Sequence, residues 1–200
     1  MSTRIGDDSA AERNKQPIFD ALAPWLVDAR RVLEVGAGDG THAFEAIHRL
    51  PQVIWQTSEA PAHHRRLVAA LVEADMTRLP APLALDVRGA WPAARFDAVF
   101  GANVAHIMDW DAVGALFAGA GTCLNAAGLL CLYGPFIEPE AALTESNARF
   151  DAALRARDPA MGLRRLDDLD ALAGRHGLDP ADVRPMPANN RLVIWRRRSR

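Results

Sequence analysis

The chain has 200 residues, 50% of them hydrophobic, and a formal net charge of −2 at pH 7. This length can bury one full hydrophobic core, so we predict a single domain over 1–200, and the small net charge provides no overall field that would attract nucleic acid or a membrane surface. Two cysteines in apolar runs, a polar segment before residue 16 and no apolar run of membrane-spanning length predict a cytoplasmic protein with reduced thiols.

Helical and strand patterns alternate along the chain without an internal repeat. Helices are predicted at 9–29, 40–50, 109–124, around 147–155 and at 166–177, and another opens at Pro61 with Leu67, Leu71 and Val72 as its apolar residues. Strands are predicted at 31–36, 53–58, 83–85, 96–100, 128–133, 182–186 and 191–196, the last two joined by a turn at 187–190. Repeated strand–helix units predict an α/β fold with a mostly parallel sheet and helices on both faces. The closing hairpin adds one antiparallel strand.

The first predicted strand runs directly into three glycines at alternate positions, Gly36, Gly38 and Gly40, and a helix follows. Such a turn presents bare backbone N–H groups at a helix start, with no Cβ to obstruct a ligand, and in open α/β sheets it binds nucleotide-like cofactors. Dinucleotide folds prefer G-x-G-x-x-G, but Thr41 stands where the third glycine would be, and phosphate loops need a lysine that is missing here. A tight turn without a ligand is the alternative.

With Glu34 two residues before Gly36, the segment has the form E-x-G-x-G-x-G and resembles motif I of the class I S-adenosylmethionine-dependent methyltransferases. The resemblance implies a Rossmann-like fold with a seven-stranded sheet. It also implies S-adenosyl-L-methionine as the cofactor, with its amino-acid end on the loop and its ammonium group near Glu34. The cofactor-binding residues expected from this segment are Glu34, Gly36, Ala37, Gly38, Gly40 and Thr41.

Acidic residues follow the second and third predicted strands, where a nucleoside would lie. Glu59 ends a strand that adjoins the first, and its carboxylate could accept both ribose hydroxyls. Asp86 ends the third strand and could accept a hydrogen bond from an adenine amino group, with Val87 beside it. Either acid could instead only cap the next helix or turn.

The segment after the fourth strand contains Asn103, Val104 and His106, and methyltransferases place residues near the transferred methyl group there. We assign Asn103 and Val104 to the cofactor and His106 to catalysis as a general base, because imidazole titrates near neutral pH. A structural histidine is the alternative. The N-P-P-[YFW] signature is missing, which speaks against methylation of a nucleobase or amide nitrogen. No spacing of His, Cys and Asp indicates a metal site.

Four segments together resemble the DUF938 family of methyltransferase-like proteins, relatives of methyltransferase-like protein 26. They are residues 11–18 (AERNKQPI), 103–107, 144–159 with its TESNARFD motif, and 186–190 (MPANN). The chain departs from the family at Glu59, where an Asp is usual, and at Met161, where a Trp is usual. The resemblance implies cofactor binding and says little about the substrate.

Ligands of open parallel sheets bind beyond the carboxyl ends of the strands. We expect residues 1–30 to form a helical lid there, residues 135–165 to form an insertion over the active site, and the 187–190 turn to join them. The residues expected to converge are Arg13 and Asn14 on the cofactor, Tyr133 and Asn147 in catalysis, and Arg149, Asn189 and Asn190 on the substrate. Alternatively, Asn147 and Arg149 serve only their own helix and the asparagines only make a turn.

Three functional classes follow from these patterns. The leading one is a methyltransferase that transfers a methyl group in line to the thiol, hydroxyl or amine of a small molecule. A non-catalytic module that binds the cofactor and a nicotinamide-dependent oxidoreductase are the alternatives. The arginine-rich C-terminus, 196–200, is interpreted as a solvated end, so no nucleic-acid or membrane partner is expected.

Overall fold

The computed structural model describes residues 9–72 and 74–199. Its strands are β1 (Arg31–Val35), β2 (Ile54–Glu59), β3 (Leu83–Ala84), β4 (Phe96–Ala102), β5 (Leu124–Gly134), β6 (Phe136–Ile137), β7 (Arg164–Arg165), β8 (Leu178–Met186) and β9 (Asn190–Arg197). Its α-helices are α1 (Ala10–Leu22), α2 (Thr41–Arg49), α3 (His64–Ala70), α4 (Trp110–Cys123), α5 (Glu145–Arg157) and α6 (Leu166–Arg175). Short 3-10 helices cover Ala23–Trp25 and Pro187–Asn189.

Seven strands form one sheet in the order β3-β2-β1-β4-β5-β9-β8, and a separate parallel pair joins β6 to β7. The strand β9 runs antiparallel to both of its neighbours, and the remaining pairs in the large sheet are parallel. This confirms the predicted mostly parallel sheet with an antiparallel C-terminal strand. The strand order reverses between β1 and β4, which is where open α/β sheets bind ligands.

Two hydrophobic clusters cover the two faces of the sheet. Helices α1, α2 and α3 pack on one face through residues such as Phe19, Ala43 and Leu67, which belong to one cluster with Trp55 of β2. Helices α4 and α6 pack on the other face, where Phe117 lies against Trp195 at 5.1 Å between ring centroids. Helices therefore lie on both faces, as predicted, because buried strands of a parallel sheet need an apolar layer on each side.

The N-terminal helix is shorter than the predicted 9–29. It ends as an α-helix at Leu22 and continues as the 3-10 turn Ala23–Trp25, because Pro24 has no N–H to donate to the carbonyl of residue 20. Pro17 lies inside α1 without ending it. Residues 1–8 of the expected lid lie outside the described residues.

Other boundaries differ where the apolar pattern is weak. The strand β8 begins at Leu178 instead of 182 although it contains Pro180 and Pro185, which an edge strand tolerates because one side of it needs no hydrogen bonds. The strand β5 begins at Leu124 instead of 128, and its pairing with β4 shifts register after Phe96. The helix α3 begins at His64, not at Pro61, and ends at Ala70, so Val72 lies beyond the helix and is 78% exposed instead of on its apolar face.

Both thiols are buried and unpaired, as expected: burial raises the pKa of Cys123 to about 11 and that of Cys131 to about 12. Within the described residues, no helix combines the length and apolar character needed to cross a bilayer.

Candidate functional site

The glycine loop joins β1 to α2 with three left-handed residues, at φ values of +70° for Gly36, +63° for Gly38 and +82° for Gly40. A Cβ on Gly36 would lie 2.6 Å from Val104 Cγ1, and one on Gly40 would lie 2.6 Å from Leu71 Cδ2. A Cβ on Gly38 would meet nothing within 4 Å. Two of the glycines therefore permit close packing, whereas Gly38 leaves the outer surface of the loop bare for a ligand.

The other two predicted loop residues serve the shape of the turn. The Ala37 N–H donates to the carbonyl of Ser58 at 3.0 Å, and the Ala37 carbonyl accepts from the Gly40 N–H at 2.9 Å. The N–H and hydroxyl of Thr41 both donate to Asp39 Oδ1, at 3.2 Å and 2.8 Å. These bonds fix the loop before any ligand arrives.

Glu59 ends β2 beside this loop and holds it. Its Oε2 accepts the Gly38 N–H at 2.8 Å, and its Oε1 accepts the Ala60 N–H at 2.8 Å. Two carboxylate oxygens can accept about four hydrogen bonds, so each oxygen retains acceptor capacity for a ribose hydroxyl.

A cavity of about 260 Å³ lies beside the loop, at the carboxyl ends of the strands. Its walls include Gly36, Glu59, Asp86 and the apolar side chains of Leu85, Val87 and Met108. Asp86 also caps its own turn, since its Oδ1 accepts the Arg88 N–H at 3.0 Å. The volume is just below the ~300–1,000 Å³ of small-ligand pockets, and carboxylates among apolar walls suit a nucleoside. The residues present therefore fit the nucleoside part of the expected cofactor.

Glu34 does not reach this cavity. Alternate residues of β1 face opposite sides of the sheet, and the Glu34 carboxylate lies 1% exposed on the α1–α2 side, where it accepts from Trp55 Nε1 at 2.7 Å. Burial, followed by smaller contributions from the carboxylates of Glu59 and Asp39, raises the pKa of Glu34 to about 7. The expected position beside an ammonium group is thus corrected: the side chain lies in the core and does not line the cavity beside the loop.

A chain of polar contacts leads from Glu34 to Asn14 of α1. His42 Nδ1 lies 3.7 Å from Glu34 Oε1, and His42 Nε2 is 2.8 Å from Asn14 Oδ1. Burial raises the pKa of the Tyr133 hydroxyl, and the side chains of Asn190 and Asn14 partly oppose that rise. Burial lowers the pKa of His42 to about 4, so its ring is neutral at pH 7.

The second cavity has a volume of about 590 Å³. It brings together six of the seven residues expected to converge, namely Arg13, Asn14, Tyr133, Asn147, Asn189 and Asn190. Asn103 also lines it, with Pro17, Pro135, Phe150 and Pro187 supplying apolar surface. This cavity is the place where segments distant in the sequence meet: α1, the carboxyl end of β5, α5 and the turn before β9.

Hydrogen bonds between asparagines hold α5 to that turn. Asn147 Nδ2 donates to the Asn189 carbonyl at 3.2 Å, and Asn189 Nδ2 donates to Ser146 Oγ at 3.1 Å. Asn190 Nδ2 donates to the Tyr133 hydroxyl at 3.0 Å. The cap of α5 comes instead from Thr144, so Asn147 does more than serve its own helix.

Arg149 is the residue that the structure does not bring to the cavity. Its side chain is 70% exposed and pairs with Glu145 at 2.5 Å, one turn earlier on α5. At about 100° per residue, residue 149 lies about 160° around the helix from residue 147 and about 100° from residue 150, both of which line the cavity. The expected substrate contact of Arg149 is therefore corrected to an ion pair within its helix.

His106 lies immediately behind the cavity wall. Its ring is 5% exposed and contacts the Phe150 ring edge-on at 5.3 Å between centroids. Its Nδ1 and Asn103 Oδ1 both face Gly134, where a Cβ would lie 3.6 Å from each. Burial, followed by the charge of Arg164, lowers the pKa of His106 to about 4. The ring is therefore neutral at pH 7, and it lies against Phe150, which lines the cavity.

Arg164 is a residue that the sequence did not indicate. Its buried guanidinium donates from Nε to the Ala105 carbonyl at 3.1 Å and from Nη2 to the Ala160 carbonyl at 2.9 Å, with a further bond to Met108. It therefore ties the segment that carries His106 to the 135–165 connection. An arginine followed by another arginine in a polar stretch gives no signal that it is buried.

The sheet order and the glycine loop define a Rossmann-like class I methyltransferase fold, and solved structures share it. An O-methyltransferase family protein from Burkholderia thailandensis has a TM-score of 0.80 at 18% identity, covering 94% of this chain and 57% of its own. Mitomycin 7-O-methyltransferase MmcR has a TM-score of 0.79 at 17% identity, covering 93% and 54%. Human N-acetylserotonin methyltransferase, in complex with SAM, has a TM-score of 0.77 at 14% identity, covering 94% and 63%.

This chain therefore spans little more than half the length of these structures, and at such identities the likeness concerns the fold. The family is established separately. The model of the DUF938 family, described as proteins of unknown function, matches residues 7–197, so the chain belongs to that family. This confirms the resemblance seen in the four sequence segments.

Proposed function

We propose that this chain is an S-adenosylmethionine-dependent methyltransferase whose acceptor is a hydroxyl or thiol of a small, largely apolar molecule. The observation that carries the proposal is the junction of the two cavities. Val104 packs against Gly36, which lines the smaller cavity, and it follows Asn103, which lines the larger one. A cofactor held by the loop would thus have its reactive end beside the larger cavity. Fold relatives that carry SAM or SAH support the same cofactor.

The residues assigned to the cofactor divide between the cavities. Glu59 would accept the ribose hydroxyls and Asp86 the adenine amino group, with Val87 and Met108 on the faces of the ring. Arg13, Asn14 and Asn103 would meet the amino-acid end, where the guanidinium suits a carboxylate. When bound, the cofactor supplies an electrophilic methyl group on its sulfonium. Glu34 acts on this end through His42 and Asn14.

The lining of the larger cavity supports a neutral acceptor over an amine. No Asp or Glu is among the described residues that line it. A protonated amine would lose its hydration water there without gaining a counter-charge. Burial of even a neutral polar group without a hydrogen-bond partner costs ~2–7 kcal/mol, and burial of an unpaired charge costs more. The proline and phenylalanine walls suit an apolar body, and the asparagines can hold its polar substituents.

We assign to His106 the role of the base that removes the proton of the acceptor. Its neutral ring is the form that accepts a proton, and the methyl transfer itself needs chiefly in-line alignment. Phe150, which is 41% exposed, lies against the ring and lines the cavity, so movement of this side chain would connect them. Tyr133 and Asn147 position the acceptor. Their hydrogen bonds with Asn190 and Asn189 hold the two side chains in place at the cavity.

Calorimetric titration with S-adenosylmethionine, S-adenosylhomocysteine and NAD tests the cofactor. We expect saturable binding of the first two and none of NAD. A panel of phenols, alcohols, thiols and amines, followed by quantification of S-adenosylhomocysteine, then tests the acceptor class. Binding without turnover on any acceptor would favour the non-catalytic module, and the absence of binding at millimolar ligand would refute the proposal.

A further inference from the structure

A group of basic residues lies at the edge of the sheet opposite the glycine loop. Arg95 precedes β4, Leu124 begins β5, and Arg197 ends the antiparallel β9, so all three lie at the amino ends of the parallel strands. A cavity of about 600 Å³ opens there. Every titratable side chain of the described residues that line it is basic: Arg95, Arg175, His176, Arg197 and Arg198.

Two of these guanidinium groups converge on one backbone oxygen. Arg95 donates to the Leu124 carbonyl at 3.2 Å and also to the Thr122 carbonyl, and Arg197 donates to the same Leu124 carbonyl from the other side. The sheet order explains this, because β5 lies between β4 and β9. Within the described part of the chain, no carboxylate contacts Arg95, Arg175 or Arg197. Arg198 differs, since it forms a fork with Asp179.

Capping of helix ends does not account for this charge. Helices α4 and α6 both end at the cavity, and each C-terminus carries roughly half a negative charge. Together they offset about one of the three positive charges that lack a carboxylate. Arg175 makes no bond with the described residues. A guanidinium has five N–H donors, so most donors of Arg95 and Arg197 also bond to no described residue.

The shape of the cavity is built into the packing. A Cβ on Gly121 of α4 would lie 2.5 Å from the His176 carbonyl oxygen, so only glycine allows the turn after α6 to approach α4 this closely. Gly177, at φ +73°, then turns the chain into β8. The basic side chains therefore surround a concave space and do not form a flat stripe.

We propose that this cavity binds a small molecule that bears a phosphate or pyrophosphate group. Arginine forks match phosphate oxygens in geometry and charge, and a multiply charged anion would offset the mutual repulsion of the guanidinium groups. A nucleic acid fits less well, because no Phe, Tyr or Trp is among the described residues that line the cavity and the whole chain has a net charge of −2. The site lies apart from both cavities of the proposed active site and does not depend on the proposed function.

Titration of the full chain with pyrophosphate and with phosphate, at ionic strength held constant with chloride, tests the proposal. We expect saturable binding of pyrophosphate that is unchanged by saturating S-adenosylhomocysteine. Displacement by S-adenosylhomocysteine would place the anion on the glycine loop and overturn the proposal. Absence of saturable binding, or binding of a mixed-sequence RNA but not of pyrophosphate, would also overturn it.

Two variants and one control locate the anion. Arg175→Gln and Arg197→Gln should each weaken pyrophosphate binding by about tenfold or more, the value of one charge-assisted hydrogen bond. Arg66→Gln removes the same charge from an exposed position of α3 and should leave the affinity unchanged; an equal loss in this control would overturn the proposal. Arg175 makes no bond with the described residues, so its variant should keep a melting temperature close to wild type, which separates loss of binding from loss of folding.

Discussion

The Glu59 carboxylate accepts the backbone N–H of Gly38 at 2.8 Å, and this bond joins the end of β2 to the outer turn of the glycine loop. It lies at the edge of the cavity assigned to the nucleoside, so the same carboxylate both shapes the loop and faces the ligand. The arrangement makes the loop rigid before binding, which reduces the entropy lost when a ligand is held.

Replacement of Glu59 tests its double role. Glu59→Ala removes the acceptor for the ribose hydroxyls and the tether of Gly38, and hydrogen bonds to charged groups contribute about 1.5–3 kcal/mol. We expect S-adenosylmethionine to bind roughly 10- to 150-fold more weakly by calorimetry. Glu59→Asp keeps the carboxylate and should lose much less affinity. Equal affinity of Glu59→Ala and wild type would remove Glu59 from the cofactor site.

The glycines of the loop should separate packing from binding. Gly36→Ala places a Cβ 2.6 Å from Val104 Cγ1, so overpacking adds about 1–3 kcal/mol to the strain of a left-handed residue. Gly38→Ala carries only that strain, about 1–2 kcal/mol, because its Cβ meets open space. We expect thermal unfolding to show the larger loss for Gly36→Ala, and calorimetry to show that Gly38→Ala weakens cofactor binding beyond its effect on stability.

Removal of the Glu34 carboxylate, which lies beside His42, should change how the free energy of unfolding depends on pH. Folding raises the pKa of Glu34 from 4.5 to about 7, which favours the folded state at low pH, and lowers that of His42 from 6.5 to about 4, which favours it at high pH. Between pH 4.5 and 6.5 these two effects oppose each other. His42 titrates in both Glu34→Gln and wild type, so the difference between them reports Glu34 alone: the stability of the variant relative to wild type should fall by roughly 1.4 kcal/mol per pH unit as the pH drops from about 7 to 4.5.

Urea unfolding of both proteins from pH 4.5 to 8 measures this difference. His106 titrates in both proteins, so its contribution cancels in the comparison. Parallel curves for Glu34→Gln and wild type would mean that folding does not raise the pKa of Glu34.

His106→Gln tests the assigned base. General base catalysis contributes about 10²- to 10⁴-fold, so turnover on a hydroxyl acceptor should fall by that factor while cofactor affinity stays unchanged. Because the pKa of His106 lies near 4, the base is deprotonated throughout pH 5 to 8, and its titration should cause no loss of turnover until the pH falls towards 4. Wild-type turnover by His106→Gln would assign the histidine a structural role.

The asparagine contacts of the larger cavity should matter for the acceptor alone. Asn190→Ala removes the bond to the Tyr133 hydroxyl, and Asn147→Ala removes the bond from α5 to the Asn189 carbonyl. Each should lower kcat/KM for the acceptor by roughly 5- to 30-fold, the equivalent of about 1–2 kcal/mol, and leave cofactor affinity near wild type. Arg149→Ala, on the exposed face of α5, is the matched control and should change neither quantity.

Much of the fold could be predicted because its signals are local. Apolar runs that end in Gly36, Glu59, Asp86 and Asn103 mark strands whose carboxyl ends meet at one edge of a parallel sheet. The boundaries that differed, at Leu22 and Leu178, lie where proline or a polar edge weakens the periodic pattern.

What the sequence alone determined is the backbone conformation and the order of elements, because glycine spacing and apolar periodicity act over a few residues. What only the tertiary structure decided is the environment of each side chain: Glu34 in the core, His106 behind Phe150, Arg149 in solvent and Arg95 beside Arg197. Burial, proton affinity and the gathering of like charges depend on helices and strands that are distant in the chain, and no local pattern records which of them will pack together.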